Sequence, residues 1–316
     1  MFGISRFALV VFLGLVSLPA FAQPKPKLRP LHIALANNSV TMTAIYVAKQ
    51  LGIYENYGFD ARVLVLEPRA GLAALLAGEL DFYTAIGSTS RAALRGLPVR
   101  VGLVALNLPD FAIVATKDIA NFQQLRGKVI GAYTPQGTVN VVLHEMMRRR
   151  GFKLDEYKVV NAGTARAAAL SGGAVQVAVL NSVETVRMVK AGFHVLGRAS
   201  DDLELPQSGL GMAHAMPASR RDFLKPAVQA TLDAIRVIVS QKDKTLPVLM
   251  KQLALSQEEA SFVYDAIRPG WALDGRPTAG AVKLDAELSQ RDMGLKDLPR
   301  VEQTYDFSML EELGKK

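Results

Sequence analysis

With 316 residues, half of them hydrophobic, the chain is long enough for two domains of ordinary size. It contains no cysteine, which excludes disulfides, thiolate nucleophiles, cysteine-ligated zinc and iron–sulfur clusters. The net charge of +8 attracts anions, but the basic residues are scattered. The densest run, Arg148-Arg149-Arg150, falls at a predicted helix C-terminus, where the dipole favours cations, so no nucleic-acid surface is expected.

Residues 1–22 read as a secretory signal peptide. Arg6 gives a positive start, Phe7 to Leu18 an apolar stretch, and Ala20-Phe21-Ala22 a small-x-small cleavage site before Gln23. The apolar stretch is short for a membrane span, and no later run of about 18 apolar residues follows it. An uncleaved anchor is the alternative. No cysteine at the cleavage site is available for a lipid anchor, so the periplasm is the expected location.

Gln23 to Pro30 is a Pro- and Lys-rich tail. Leu31 to Ala36 reads as a strand, Asn37-Asn38-Ser39 as a capping loop, and Thr41 to Leu51 as a helix. Ala61 to Leu66 is a nearly unbroken apolar run, as expected of a strand buried on both faces of a parallel sheet. Pro68-Arg69-Ala70-Gly71 leads to the helix Leu72 to Ala77, and Leu80 to Ile86 is the next strand. Gly87-Ser88-Thr89 opens the helix Ser90 to Arg95, and Val99 to Leu106 is a strand. Phe111 to Thr116 is a further strand at the crossing into a second lobe.

The second lobe starts with the strand Lys128 to Tyr133, the loop Thr134 to Thr138 and the helix Val139 to Arg150. Then come the strand Lys158 to Val160, the loop Asn161 to Thr164, the helix Ala165 to Leu170 and the strand Val175 to Leu180. Asn181-Ser182 opens the helix Val183 to Ala191, His194 to Arg198 is a strand, and Gly209 to Met216 crosses back. Helices follow at Asp222 to Ser240, Thr245 to Leu253 and Ser256 to Ile267, and the remainder reads as mixed helix and loop. This alternation predicts parallel, doubly wound sheets.

The order of elements occurs twice. Gly58-Phe59 closes the first helical segment of one copy, and Gly151-Phe152 does so in the other. Ala74-Leu75-x-x-Gly78-x-Leu80 is echoed by Ala169-Leu170-x-x-Gly173-x-Val175. Two such halves predict two α/β lobes with a cleft for a small molecule between them. In open parallel sheets a ligand binds beyond the carboxyl ends of the strands. Six loops lie there, each with Gly, Ser, Thr or Asn before a helix whose free N–H groups suit a carboxylate or sulfonate. Singly, these residues are ordinary helix caps; the repetition favours a cleft. Arg69 is the strong cation among them, able to grip an anion with two parallel hydrogen bonds or to stand as an exposed arginine.

Tyr133 and Trp271 offer flat contact surfaces, although Trp271 suits helix packing equally. Glu184 sits just inside a helix N-terminus, where an acid favours the dipole; binding a ligand amine is its alternative role. His32, His144, His194 and His214 have no metal-site spacing. There is no nucleophile elbow or phosphate-binding loop, and Gly209-Leu210-Gly211 lacks the rest of a dinucleotide signature.

Four segments resemble the periplasmic substrate-binding proteins of the nitrate/sulfonate/taurine ABC-transporter group, which includes thiamine-pyrimidine-precursor binders. They are IYVAKQLGIYENYGFDARV (Ile45 to Val63), LLAGELDFYTAIGSTS (Leu75 to Ser90), LRGKVIGAYTPQGTVNVVLHEMMRRRGF (Leu125 to Phe152) and ARAAALSGGAVQVAVL (Ala165 to Leu180). The resemblance runs from Leu31 to Ala199; the C-terminal third is only loosely similar. It implies the α/β type II periplasmic-binding-protein fold: two doubly wound lobes, 31–114 with 216–316 and 115–215, joined by two crossing segments. It implies a monomer without cofactor, metal or catalytic residues, which binds a small anionic ligand and docks on an inner-membrane ABC permease. By position, the implied contacts are Asn38, Ser39, Arg69, Gly87, Ser88, Gln136, Gly137, Thr138, Gly163, Thr164 and Asn181. The alternatives are an enzyme on the same fold and a ligand sensor for a membrane partner. The porphyrin-precursor deaminases of this architecture attach their cofactor through a cysteine, which this chain lacks.

Overall fold

The computed structural model describes residues 27–133 and 138–314, so the predicted signal peptide lies outside the described residues. Two five-stranded sheets organise the chain. The first contains β1 (Arg29–Leu35), β2 (Phe59–Val65), β3 (Phe82–Tyr83), β4 (Val99–Leu106) and β10 (Ser208–Ala213), in the order β2-β1-β3-β10-β4. The second contains β5 (Ala112–Ala115), β6 (Val129–Ala132), β7 (Lys158–Asn161), β8 (Val177–Leu180) and β9 (His194–Arg198), in the order β7-β6-β8-β5-β9. Counted within each copy, both sheets follow one plan: second strand, first, third, a strand arriving from the other lobe, then the fourth. The sequence repeat is therefore a repeat of topology. Gly58 (φ +81°) and Gly151 (φ +79°) both make left-handed turns at the ends of helical segments, as only glycine does without strain.

The sheets are mixed rather than wholly parallel. β10 runs antiparallel to β3 and β4, and β5 runs antiparallel to β8 and β9. A strand that arrives from the other lobe enters at the carboxyl ends of its neighbours, so it must run against them. The apolar run at Ala61 to Leu66 also differs from expectation. β2 is an edge strand, with Asp60 and Arg62 exposed and Val65 at 54% exposure. Its charged residues protect the open edge from pairing with another chain.

The helices of the first lobe begin with α1 (Thr43–Gln50), α2 (Ile53–Asn56), α3 (Pro68–Leu76) and α4 (Ile86–Leu94). The second lobe carries α5 (Thr138–Arg149), α6 (Arg166–Ser171), α7 (Ser182–Lys190) and α8 (Ala199–Asp202). After β10 come α9 (Ala218–Ser240), α10 (Lys242–Leu253), α11 (Gln257–Ile267), α12 (Ala279–Met293) and α13 (Ser308–Leu313). Ile33 and Leu103 of the first sheet pack with Val47 of α1 and Val228 and Ile235 of α9. Ile130 and Val179 pack with Val142 and Met146 of α5 in the second core. Removing these side chains from water is the main force that closes each lobe.

Sheet membership shows where the chain passes from one sheet to the other. β5 belongs to the second sheet and β10 to the first, so the chain crosses between the sheets at 107–111 and, after α8, at 203–207. The C-terminal segment is not confined to the first lobe. Leu284 and Leu288 of α12 join the second core, and Arg291 lies 3.5 Å from Glu145 on α5. On the same helix, Asp285 accepts a 2.9 Å bond from the Tyr305 hydroxyl, and Tyr305 packs against β4 of the first lobe. α12 thus ties the two lobes together, because its apolar residues face one core and its carboxylate the other.

Candidate functional site

The three loops beyond the carboxyl ends of β1, β2 and β3 belong to the first lobe. Asn38 is exposed; its Oδ1 accepts from the Tyr46 hydroxyl and, at 3.4 Å, from Gln252 Nε2. Gln252 is itself held by Gln50 at 3.1 Å. This amide–phenol cluster joins α1 and α10, a link invisible to local sequence reading. Ser39 Oγ lies 2.8 Å from Thr41 Oγ1, which orients the turn into α1. Arg69 occupies the first turn of α3, is exposed, and has no ion pair among the described residues. Gly87 and Ser88 lie within the first turn of α4 rather than ahead of it, and both are half-buried.

In the second lobe, Gln136 and Gly137 lie outside the described residues. Thr138 is the first residue of α5 and is half-buried. Two residues on, Asn140 Oδ1 accepts the Tyr133 N–H at 3.1 Å and so fixes the end of β6. Gly163 has a left-handed backbone (φ +52°) and donates its N–H to Asn161 Oδ1 at 3.1 Å; Thr164 beside it is exposed. Asn181 caps α7: its Oδ1 accepts the Glu184 N–H at 2.9 Å, while Glu184 accepts the Asn181 N–H at 3.0 Å. The expected dipole role of Glu184 is present, but Glu184 also pairs with a cation, Arg166, at 3.1 Å.

Arg166 is the residue that sequence reasoning missed. It opens α6, is 6% exposed, and stands 5.4 Å from the Tyr133 ring centroid. A signal existed: the first turn of a helix disfavours cations, yet Arg69 and Arg166 both sit there. Residues set against a local preference concentrate at functional positions.

The lobes meet beside this cluster. Val183 and Val186 of α7 pack into the first lobe's core, and Arg187 and Lys190 reach Glu259 and Glu258 of α11 at 3.4 and 2.8 Å. At the first crossing Asp110 is 8% exposed and accepts the Ser182 N–H at 3.2 Å. Burial pushes its carboxyl up to about 7; the bonds from Ser182 oppose that shift, Glu184 adds to it, and Arg198 opposes it. Asp110, Ser182, Arg198 and Ile267 surround a void of about 10 Å³, room for about one water. A wider cavity of about 220 Å³ lies among Asn107, Glu204, Trp271 and Arg276. Neither is lined by any of the nine expected contacts among the described residues. Trp271 is 6% exposed and pairs through its backbone with Leu106, so it serves packing at the crossing.

The triple-arginine run and His144 have structural partners. Arg148 and Arg149 pair with Glu145, and Arg150 with Asp202, so the triple-arginine run is held in ion pairs. His144 Nδ1 lies 2.6 Å from the Tyr157 hydroxyl. Among the described residues no three acidic or histidine side chains gather to hold a metal, and no helix is long and apolar enough to cross a membrane.

A family model described as NMT1/THI5 like matches residues 39–245, a span that includes all four motif segments. No curated protein matches the chain. Among solved structures the chain is similar to the periplasmic aliphatic sulphonate binding protein SsuA from Escherichia coli: 17% identity, TM-score 0.68, 89% of this chain and 99% of that one covered. It is similar to the ligand binding component of an ABC-type import system from Staphylococcus aureus at 14% identity and TM-score 0.71, covering 90% and 98% of the two chains. It is also similar to a mutant of DSZB in complex with biphenyl-2-sulfinic acid, at 14% identity and TM-score 0.68, covering 91% and 99%. At these identities the likeness shows the fold, which is that of the type II periplasmic binding proteins.

Proposed function

Because the chain belongs to the NMT1/THI5-like family, we propose that it is the solute receptor of an ABC importer, capturing a small organic anion between its lobes in the periplasm. The observation that carries this reading is the doubled sheet plan, joined by two crossings, with polar helix-opening loops at the carboxyl ends of both sheets. The solute bridges the loops of the two lobes and shifts the open–closed equilibrium, and the closed form docks on the permease. The similarity to a sulphonate binding protein and to an importer's ligand binding component supports the same reading.

The anionic preference rests on the helix N-termini and on Arg69, an exposed cation free of ion pairs among the described residues. A thermal-shift screen of sulfonates, aromatic acids, amino acids and pyrimidines tests the reading: a bound solute raises the melting temperature by mass action. For an anion found in that screen, Arg69→Ala is expected to weaken binding by ~1.5–3 kcal/mol, measured by calorimetry. An unchanged dissociation constant removes Arg69 from the site. Steady consumption of the solute would replace the receptor reading with an enzymatic one.

A further inference from the structure

Arg166 stands over the ends of three neighbouring strands. Its backbone follows β7, its guanidinium faces the Tyr133 ring at the end of β6, and its Nη2 donates to Glu184 Oε2 in the first turn after β8. Its Nε has no partner among the described residues. Glu184 Oε2 divides its charge between Arg166 and the Asn181 N–H. A buried guanidinium placed against a helix dipole, with one N–H unused, is a poor device for merely joining two helices. An arginine offers five donors in a rigid fork, and this carboxylate engages one of them.

We infer that Arg166 is the second lobe's anchor for the solute's oxyanion, and that the solute is a monoanionic organic acid with a flat apolar body. The inference rests on the receptor reading above. Nε and Nη2 form one edge of the guanidinium, which a carboxylate or sulfonate can take with two parallel hydrogen bonds. Arg166 and Glu184 sum to no net charge before the solute arrives, so the site accepts one negative charge more readily than two. Tyr133, 37% exposed beside the guanidinium, offers its ring to the body of the solute.

The test is calorimetry on the purified full chain with benzenesulfonate, benzoate, neutral benzamide and methanesulfonate. The wild type should bind one or both aromatic anions at least tenfold more tightly than benzamide or methanesulfonate. Arg166→Gln should weaken that anion tenfold or more, and Arg166→Lys should retain part of the affinity. Glu184→Gln should tighten the anion severalfold, because it removes the competing carboxylate; a purely structural pair gives no such gain. Arg166→Lys and Glu184→Gln decide the matter if Arg166→Gln does not fold. Unchanged dissociation constants in those two variants overturn the inference, as does equal binding of benzamide. Binding of methanesulfonate with silence from both aromatic acids overturns the flat-acid inference and leaves the receptor reading standing. Silence from every solute in the wider thermal screen removes both.

Discussion

Gly209→Ala is expected to destabilise the protein by roughly 3 kcal/mol or more, read as a fall in the urea or thermal midpoint. A Cβ at position 209 would lie 2.0 Å from the Leu103 carbonyl oxygen and 3.0 Å from the Val104 Cα. Both are backbone atoms of β4, and no rotamer change moves them. β10 lies between β3 and β4, and its register shifts at Ser208/Gly209, so the close approach is built into the middle of the first sheet. Gly102 is the useful comparison. There a Cβ meets the flexible end of Met212, with Cε at 2.6 Å, and a side chain can turn aside. Gly102→Ala should therefore be the milder change; equal losses at the two positions would contradict this account. The Gly-Leu-Gly run at 209–211, weak as a nucleotide signature, is a packing device. A Cβ at position 211 would likewise meet Thr89 Oγ1.

Asp110→Asn is expected to stabilise the protein by roughly 2–4 kcal/mol at pH 8 and by little at pH 4, measured by urea unfolding. The sign follows from burial. Unfolded, this carboxyl ionises near its ordinary value of 3.8; folded, burial raises it to about 7. Between those values the native state holds a proton that the unfolded state has lost, so native stability falls as pH rises, and the full loss is present above 7. Asparagine carries no charge to bury, and its Oδ1 can still accept the Ser182 N–H that holds the crossing to α7. A difference between variant and wild type that is the same at both pH values would contradict this reading.

Much of the fold was legible because short apolar runs separated by Gly and capping residues specify α/β units locally. Val99–Leu106 and His194–Arg198 have the strand limits expected from sequence. What local pattern does not carry is which sheet a strand joins. β5 and β10 carry no mark of their antiparallel placement, which follows from where the chain crosses between lobes. The apolar Leu64 and Val65 suggested a buried strand, yet the sheet ends at β2 and leaves them exposed. α12 escaped notice because few of its residues are buried apolar ones: Ala281, Leu284 and Leu288.

The site was read less completely than the fold. The helix-opening positions of Arg69, Thr138 and Asn181 follow from turn and cap residues. Arg166 does not, because its partner Glu184 is 18 residues away and comes near only when β8 is laid beside β6. The Asn38–Gln252 contact spans 214 residues and depends on α10 returning to α1. Such pairings are set by packing of whole elements, which periodicity cannot specify.

Lobe closure on a solute is the claim on which the rest depends. Small-angle scattering of the purified protein, with and without a saturating solute from the thermal screen, measures it most directly. A smaller radius of gyration in the bound protein is the predicted result. An identical scattering curve, with binding verified by calorimetry on the same sample, would contradict it.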